Sequence, residues 1–352
     1  MSIWKNSVIS PGSTVEDAIR VLAKSKLKIV LVCSSDFRLL GTITDGDIRR
    51  CLLGGQGLET SVLEVMCRSP KTTRANVERR SVLNMLIELN LAYMPVVNDD
   101  GVLQDVITCQ NVGIPPADGA TVFLLAGGFG RRLAPLTDNL PKPLINVGDR
   151  SIIQRIVELL VGFGVAKFVI SLHYKADLIK LELGDGDRWD VDISYVEESE
   201  PLGTAGSLAM VRYEELTKPI IVMNSDILTK LDFEELMRFH MESGSDATIC
   251  AKHYDLQLPY GVLDVQGGKF LGIKEKPIFS LLVNTGIYVI EPYLIALIEK
   301  GEQIDMPNFL KRVRDSKREI SVFPVYEYWS DIGEIDQLNK AKQDVSVNFP
   351  NA

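Results

Sequence analysis

The chain is expected to fold as an α/β protein in which a small α+β unit precedes a larger, mostly parallel sheet with helices on both faces. Three observations predict this. The first 115 or so residues repeat at an offset of 64. From Thr121 onward, short apolar strands alternate with amphipathic helices. Between the two lies Asn111-Val-Gly-Ile-Pro-Pro-Ala-Asp-Gly119, whose paired prolines and two glycines stop regular structure and make a semi-rigid joint. At 352 residues, more than one domain is expected. The boundaries read as 1–56 and 57–116 for the two repeats and 117–352 for the larger domain.

The repeat is legible residue by residue. Ala18, Ile19, Leu22 and Ala23 align with Val82, Leu83, Leu86 and Ile87, the spacing of a helix with one buried face. Val32, Asp36, Leu39, Ile43 and Thr44 fall on identical residues at 96, 100, 103, 107 and 108. Each copy therefore reads helix, strand, acidic turn, strand. Two copies can bury faces that one alone would expose. The first copy contains Gly41-Thr-Ile-Thr44-Asp-Gly-Asp47-Ile-Arg-Arg50. The repeat resembles a tandem pair of CBS domains, modules that commonly bind adenosine nucleotides in the cleft between copies. The resemblance implies that Thr44 and Asp47 hold a ribose, since a carboxylate suits two vicinal hydroxyls. The second copy has Thr108 but Asn111 in place of the Asp. At most one strong adenine-nucleotide site is expected, on the first copy; the alternative is a pure dimerisation module.

In the larger domain, Thr121–Ala126 is a wholly apolar run of the kind buried in parallel sheets. Asp149 or Ser151 can cap a helix carrying Ile152, Ile153, Ile156, Val157 and Leu160, which stops near Gly162 and Gly164. Lys167–Leu172 reads as a strand, Ala176–Leu183 as a short helix, and Val191, Ile193 and Tyr195 alternate as a strand does. Ile220–Met223 is another buried strand, ending at Asn224-Ser-Asp226; Asp232 and Glu235 form a capping-box pair. This order gives a Rossmann-like sheet, whose ligands collect at the carboxyl ends of the strands. The glycine-rich turn and Asp226 both follow a strand directly, so both can face one cleft.

The totals exclude several classes. A net charge of −9 argues against a nucleic-acid binder. No apolar run approaches a membrane span, and Met1-Ser-Ile-Trp-Lys-Asn lacks a signal-peptide core. Five scattered cysteines without a CxxC suggest reduced thiols. A cytoplasmic protein without membrane attachment is expected.

The chemistry concentrates at Leu124-Ala-Gly-Gly-Phe-Gly-Arg-Arg-Leu133, followed by Pro135-Leu-Thr137 and Pro141-Lys-Pro-Leu144. Glycines let backbone N–H groups approach phosphate oxygens, and Arg132 and Lys142 supply fixed positive charge. The spacing is neither GxGxxG nor the P-loop form, which disfavours a nicotinamide-linked oxidoreductase.

The whole arrangement resembles the sugar-1-phosphate nucleotidyltransferases, whose opening motif GGxGxRLxPLT followed by PKP stands at 127–137 and 141–143. The similarity runs from about Thr121 to Ala341. Arg131 is a departure, standing where the family usually has Thr. The resemblance implies nucleotide contacts from Leu125, Ala126, Gly127, Gly128, Gly130, Arg131 and Arg132. Glu198-Ser-Glu-Pro-Leu-Gly203-Thr204-Ala205-Gly-Ser207 corresponds to the stretch along the nucleobase and hexose. Gly261 sits in a sugar-lining turn. Glu275 and Lys276 match the residues that contact the sugar and its phosphate, and Asn284 and Thr285 lie on the strand closing the sugar pocket. Asp226 and Asp331 match the magnesium-binding aspartates.

The expected reaction joins a nucleoside triphosphate and a hexose or aminohexose 1-phosphate, releasing pyrophosphate. Both substrates are anions, so catalysis is mainly positioning and charge stabilisation. Mg²⁺ prefers one or two carboxylates plus phosphate oxygens and water, which Asp226 and Asp331 fit. Arg132, Lys142 and Asp226 are the expected catalytic residues. No general base is required, because the sugar phosphate is already ionised. The Leu-Ala-Gly-Gly-Phe-Gly and Pro-Leu-Gly-Thr-Ala-Gly stretches look most like guanylyltransferases of the mannose-1-phosphate type, so GTP is expected ahead of UTP or dTTP. A catalytically lapsed sensor is the alternative. The repeat pair would add an adenine-nucleotide input, and a homo-oligomer is expected because CBS pairs often associate.

Overall fold

A computed structural model describes residues 3–348 apart from Lys26, Asn76, 78–81, 83–84, 87–90, Ala92 and 109–119. Asn111, Cys109, the expected linker, and Leu83 and Ile87 of the second repeat lie outside the described residues. The chain divides into two compact units, Met1–Ile114 and Pro115–Ala352.

In the first unit, helix Val15–Lys24 starts at Thr14 in a capping box with Asp17 and buries Val15, Ala18 and Leu22. Strands Val30–Cys33 and Leu39–Ile43 pair antiparallel, as do Tyr93–Val97 and Leu103–Thr108. The ladder slips between Val32 and Cys33 in one hairpin and between Val96 and Val97 in the other, positions 64 apart. The hairpins meet at a bridge between Arg38 and Val102, again 64 apart. The amide of Leu39 donates to Gly101 O at 3.0 Å, and that of Leu103 to Phe37 O at 2.9 Å. These are reciprocal bonds between equivalent positions, so the sequence repeat is a local two-fold pseudosymmetry. Ile29, Leu31 and Cys33 share a core with Val97 and Leu103, which neither copy could build alone.

In the second unit, seven strands run in the order Asp192–Glu197, Lys167–Leu172, Thr121–Leu125, Ile220–Asn224, Ile278–Ile290, Ala247–Gln257, Ile320–Val325. Only the pairings made by Ile278–Ile290 are antiparallel; the other four are parallel. Alternate side chains feed two cores. Val122, Leu124, Ile221 and Met223 join the face covered by helix Ile152–Gly162, and Phe123, Ile220 and Val222 join the face covered by helix Met306–Asp315. Of the two candidate caps, Ser151 forms a capping box with Gln154, while Asp149 pairs with Arg155 at 2.7 Å.

One feature was not foreseen from sequence. Strands Ala247–Gln257 and Ile278–Ile290 continue beyond the sheet as a two-stranded ribbon, joined by a second hairpin of Val262–Gln266 and Lys269–Lys274. Among the described residues, no helix is long and apolar enough to cross a membrane.

Candidate active site

A cleft of about 390 Å³ opens where the parallel strands end. Thr121–Leu125 delivers the glycine loop, Ile220–Asn224 delivers Ser225 and Asp226, and Asp192–Glu197 delivers Glu198. Leu125, Gly127, Gly128, Gly130, Arg131, Arg132, Lys142, Gly203, Thr204 and Asp226 all line it. Ala126 and Ala205 are buried, and their amides donate to Ser171 O and Ile304 O, so neither expected contact offers a free donor to a nucleotide.

The loop is shaped by close packing. Gly130 has φ +64°, and a Cβ there would stand 2.9 Å from Thr137 Cγ2 and 3.0 Å from Lys142 Cβ. Thr137 Oγ1 donates to Gly130 O at 2.9 Å, tying the loop to the proline-framed lysine. Among the described residues, no protein acceptor takes the amides of Gly127, Gly128 or Phe129. Such amides suit anionic oxygens. The exposed guanidinium of Arg131 lies over the Phe129 ring, 5.1 Å from its centroid. Arg132 is also exposed, 3.9 Å from Glu334.

Lys142 forms an ion pair with Asp226 Oδ2. Asp331 is brought alongside by a short antiparallel ladder that pairs Ile227 with Asp331, and Ile332 N donates to Asp226 O at 3.0 Å. One carboxylate oxygen on each aspartate, Oδ1, is buried without a hydrogen-bond partner. Burial, then the Asp226 charge, raises the Asp331 carboxyl above its ordinary range, while Lys142 and Arg132 oppose the shift. Two neighbouring carboxylates with orphaned oxygens fit a divalent cation. Among the described residues, no group of three or more His, Cys, Asp or Glu side chains is placed to hold a metal. An ion on this pair would complete its shell with phosphate oxygens and water, the ligation Mg²⁺ favours.

Glu198 also lines the cleft, and the sequence reading gave it no separate role. Its Oε2 accepts from Leu202 N at 2.8 Å, and Oε1 accepts from the Ser171 hydroxyl. The signal in the sequence was an acid directly after a parallel strand. The Gly203–Gly206 stretch is clasped by the segment that follows: Ala205 N and Gly206 N both donate to Ile304 O, and Thr204 Oγ1 accepts from Met306 N at 2.7 Å.

The expected sugar-phosphate residues divide between two places. Asn284 and Thr285 stand near the cleft floor through Gly286, where a Cβ would come 2.6 Å from Asn224 Nδ2. Asn284 bonds Tyr288 OH, and the buried Thr285 hydroxyl donates to Cys250 O at 2.8 Å, so it is turned from the cleft. Gly261, Glu275 and Lys276 lie where the ribbon passes into the second hairpin. A Cβ on Gly261 would stand 2.8 Å from Glu275 Oε2, and both charged residues are exposed.

In the first unit, Thr44 and Asp47 bond one another. Thr44 N and Oγ1 donate to Asp47 Oδ2 at 2.8 and 2.7 Å, capping helix Asp45–Leu53, and Arg50 pairs with Asp47 Oδ1 at 2.6 Å. Thr14 and Asp17 form the same box one helix earlier. The Thr-x-x-Asp spacing therefore serves a helix start here, whatever else it binds.

Comparison with known proteins gives this geometry a lineage. Residues 3–54 match the family described as CBS domain. The chain is 32% identical over 220 residues to mannose-1-phosphate guanyltransferase beta-B of Xenopus laevis, covering 60% of this chain and 61% of that protein. It is 36% identical over 223 residues to mannose-1-phosphate guanyltransferase of Debaryomyces hansenii, covering 60% of each. The chain thus spans about three fifths of the length of these curated relatives. The crystal structure of HddC from Yersinia pseudotuberculosis superposes with a TM-score of 0.51 at 25% identity, covering 64% of this chain and 99% of that one. Residues 121–347, the span that builds the cleft, match the family described as Nucleotidyl transferase, and the chain belongs to that family.

Proposed function

We propose that the chain transfers a nucleotidyl group from GTP to a hexose or aminohexose 1-phosphate, giving a nucleoside diphosphate sugar and pyrophosphate. The observation that carries this reading is the convergence of the glycine loop, Arg132, Lys142 and Asp226 on one cleft, with Asp331 brought beside Asp226. An oxygen of the sugar phosphate attacks the α-phosphorus. The bond from that phosphorus to the bridging oxygen breaks, and its electron pair leaves on pyrophosphate. Loop amides with Arg131 and Arg132 hold the departing phosphates. Lys142 neutralises the α-phosphate, and Lys276 holds the incoming phosphate. Asp226 and Asp331 would hold Mg²⁺, which supplies charge neutralisation between the two reacting phosphates. A panel assay for pyrophosphate release, crossing triphosphates with sugar phosphates, tests the reading. Turnover is expected with GTP; nucleotide binding without turnover for any pair would replace the enzyme with a sensor.

GTP is favoured by two facts. The curated relatives are named as guanyltransferases. Glu198 also lines the cleft with Gly127 and Gly203, and each of its carboxylate oxygens has acceptor capacity beyond its bond to Leu202 N or the Ser171 hydroxyl. Guanine offers N1–H and N2–H₂ on one edge, which a carboxylate accepts together, whereas uracil and thymine offer one N–H. Replacing Glu198 by Gln is expected to cost about 1.5–3 kcal/mol with GTP, at least about tenfold in kcat/KM, and much less with UTP. Equal losses for both nucleotides would remove Glu198 from base selection.

The first unit is assigned an adenine-nucleotide input at Thr44 and Asp47. Asp47→Ala is expected to weaken calorimetric binding of AMP while basal turnover stays unchanged. It also removes half of a helix cap, worth ~1 kcal/mol. Asp47→Asn, which retains an acceptor for Thr44, separates the two effects; full AMP affinity in both variants would leave Asp47 as a cap alone. The same reading places the enzyme in the cytoplasm, in keeping with free thiols at Cys33, Cys51, Cys67 and Cys250.

A further inference from the structure

The ribbon beyond the sheet is amphipathic in a way the nucleotidyl-transfer reading does not use. In its ladder Tyr254 faces Leu281, Leu256 faces Phe279, and Lys252 faces Val283. Directly paired residues share a face, so one side of the ribbon is apolar from Val283 outward, with Lys252 at its base turned to Glu327 O at 2.7 Å. The other side pairs His253 with Leu282, Asp255 with Ser280 and Gln257 with Ile278, so polar side chains hold four of its six positions and Leu282 and Ile278 stand singly among them. The second hairpin repeats the pattern, with Leu263 opposite Ile273 and Val265 opposite Phe270.

These apolar side chains stand in the open. Tyr254 is 56% exposed, Phe279 45%, Leu281 49% and Phe270 65%. A lone two-stranded ribbon is marginal in water. Roughly half-exposed aromatic and aliphatic side chains along the ribbon and hairpin sum to about 1,000 Å². The largest apolar patch on a typical monomer is about 300–600 Å². A stable interface takes about 800 Å² from each partner.

We propose that this apolar face is a homodimer interface, packed against the same face of a second copy about a two-fold axis. The pattern is self-complementary. Tyr254 and Phe279 occupy one diagonal of a four-residue patch, and Leu256 and Leu281 occupy the other. Either two-fold axis lying in the plane of the interface sets each ring on an aliphatic side chain of the partner. Large thereby meets small throughout, as in an isologous contact. Two ribbons joined in this way form a two-layer sandwich with the polar sides outward.

The arm also carries Gly261, Glu275 and Lys276. If the sugar-phosphate assignment above holds, association fixes one wall of that site, and the sugar-phosphate KM rises when the dimer is broken. The association itself is read without substrates, so its outcome is separate from that assignment.

Sedimentation velocity of the full chain at micromolar concentration is expected to show a dimer. Leu256→Lys combined with Phe279→Lys would press two charges into the apolar contact and weaken dimerisation by at least about a hundredfold. The melting temperature and nucleotide binding of that variant report whether the fold survives. A second, non-disruptive variant is Leu281→Cys with the exposed Cys67 replaced by Ser. Facing sheets lie about 10 Å apart, so a short bis-maleimide is expected to yield a covalent dimer. A monomeric wild type, a double-lysine variant that stays dimeric, or no cross-link at position 281 would each overturn the proposal. The second of these would move the interface elsewhere on the chain.

Discussion

Asp226→Ala is expected to lower turnover by at least about a thousandfold, some 4 kcal/mol of transition-state stabilisation, while the protein stays folded. Three consequences meet at this one carboxylate. Its Oδ1 is buried and unpartnered, its Oδ2 holds Lys142, and its neighbour is Asp331. Removing it halves the charge offered to a cation and leaves Lys142, whose side chain is 12% exposed, without its acid. The fold is expected to survive because the side chain faces the cleft, while the local ladder is held by backbone bonds such as Ile332 N to Asp226 O. Loss of the charge also relieves Asp331, whose carboxyl is raised first by burial and then by Asp226. Asp226→Asn keeps the shape and one acceptor and is expected to be nearly as inactive, since a cation needs charge. Steady-state rates across a Mg²⁺ series, beside calorimetric melting, check this. A variant within tenfold of the parent rate would remove Asp226 from the reaction.

Much of the cleft could be read from the chain because its parts follow buried strands. Thr121–Leu125 and Ile220–Asn224 are apolar runs that stop at Gly127 and at Ser225-Asp226, and a parallel sheet gathers such endings on one edge. Other features depend on long-range pairing. Nothing local to Asp331 says that it pairs with Ile227, 104 positions earlier; only the ladder shows it. The ribbon was missed for the same reason. Tyr254 and Leu256 alternate with polar residues, but Phe279 and Leu281 stand in the nearly unbroken apolar run Ile278-Phe-Ser-Leu-Leu-Val283, which shows no face of its own, and the register joining the two strands spans an intervening hairpin. Thr44 and Asp47 show a different limit. Their spacing is that of a helix cap as much as of a ribose clamp, and Thr14 with Asp17 was a second copy of the spacing in plain view.

Gly203→Ala is expected to lower the melting temperature by roughly 4–16 °C, following a loss of about 2–4 kcal/mol. Gly203 has φ +77°, a conformation that costs a residue with a Cβ about 1–2 kcal/mol. The new methyl would stand 2.7 Å from Ile304 O and 2.8 Å from Asp305 Oδ1. Neither neighbour can yield freely. Ile304 O accepts from Ala205 N at 3.0 Å and Gly206 N at 3.1 Å, and Ile304 N donates to Leu202 O at 2.9 Å. Asp305 Oδ1 accepts from Thr204 N at 3.2 Å and precedes helix Met306–Asp315. Relief of the contact must therefore shift Thr204, which lines the nucleotide cleft, so KM for the triphosphate should rise together with the loss of stability. The same exchange at Gly162 supplies the contrast. That glycine ends helix Ile152–Gly162, and a Cβ there meets nothing within 4 Å. Gly162→Ala is expected to be neutral or slightly stabilising, because alanine loses less backbone freedom on entering a helix. Opposite signs for one chemical change, measured by calorimetry on the two variants, would show that the glycine in Leu-Gly-Thr-Ala-Gly is demanded by backbone contact with Ile304. Equal melting temperatures would instead mean that the clasp relaxes, and that the nucleotide wall is softer than its hydrogen bonds imply.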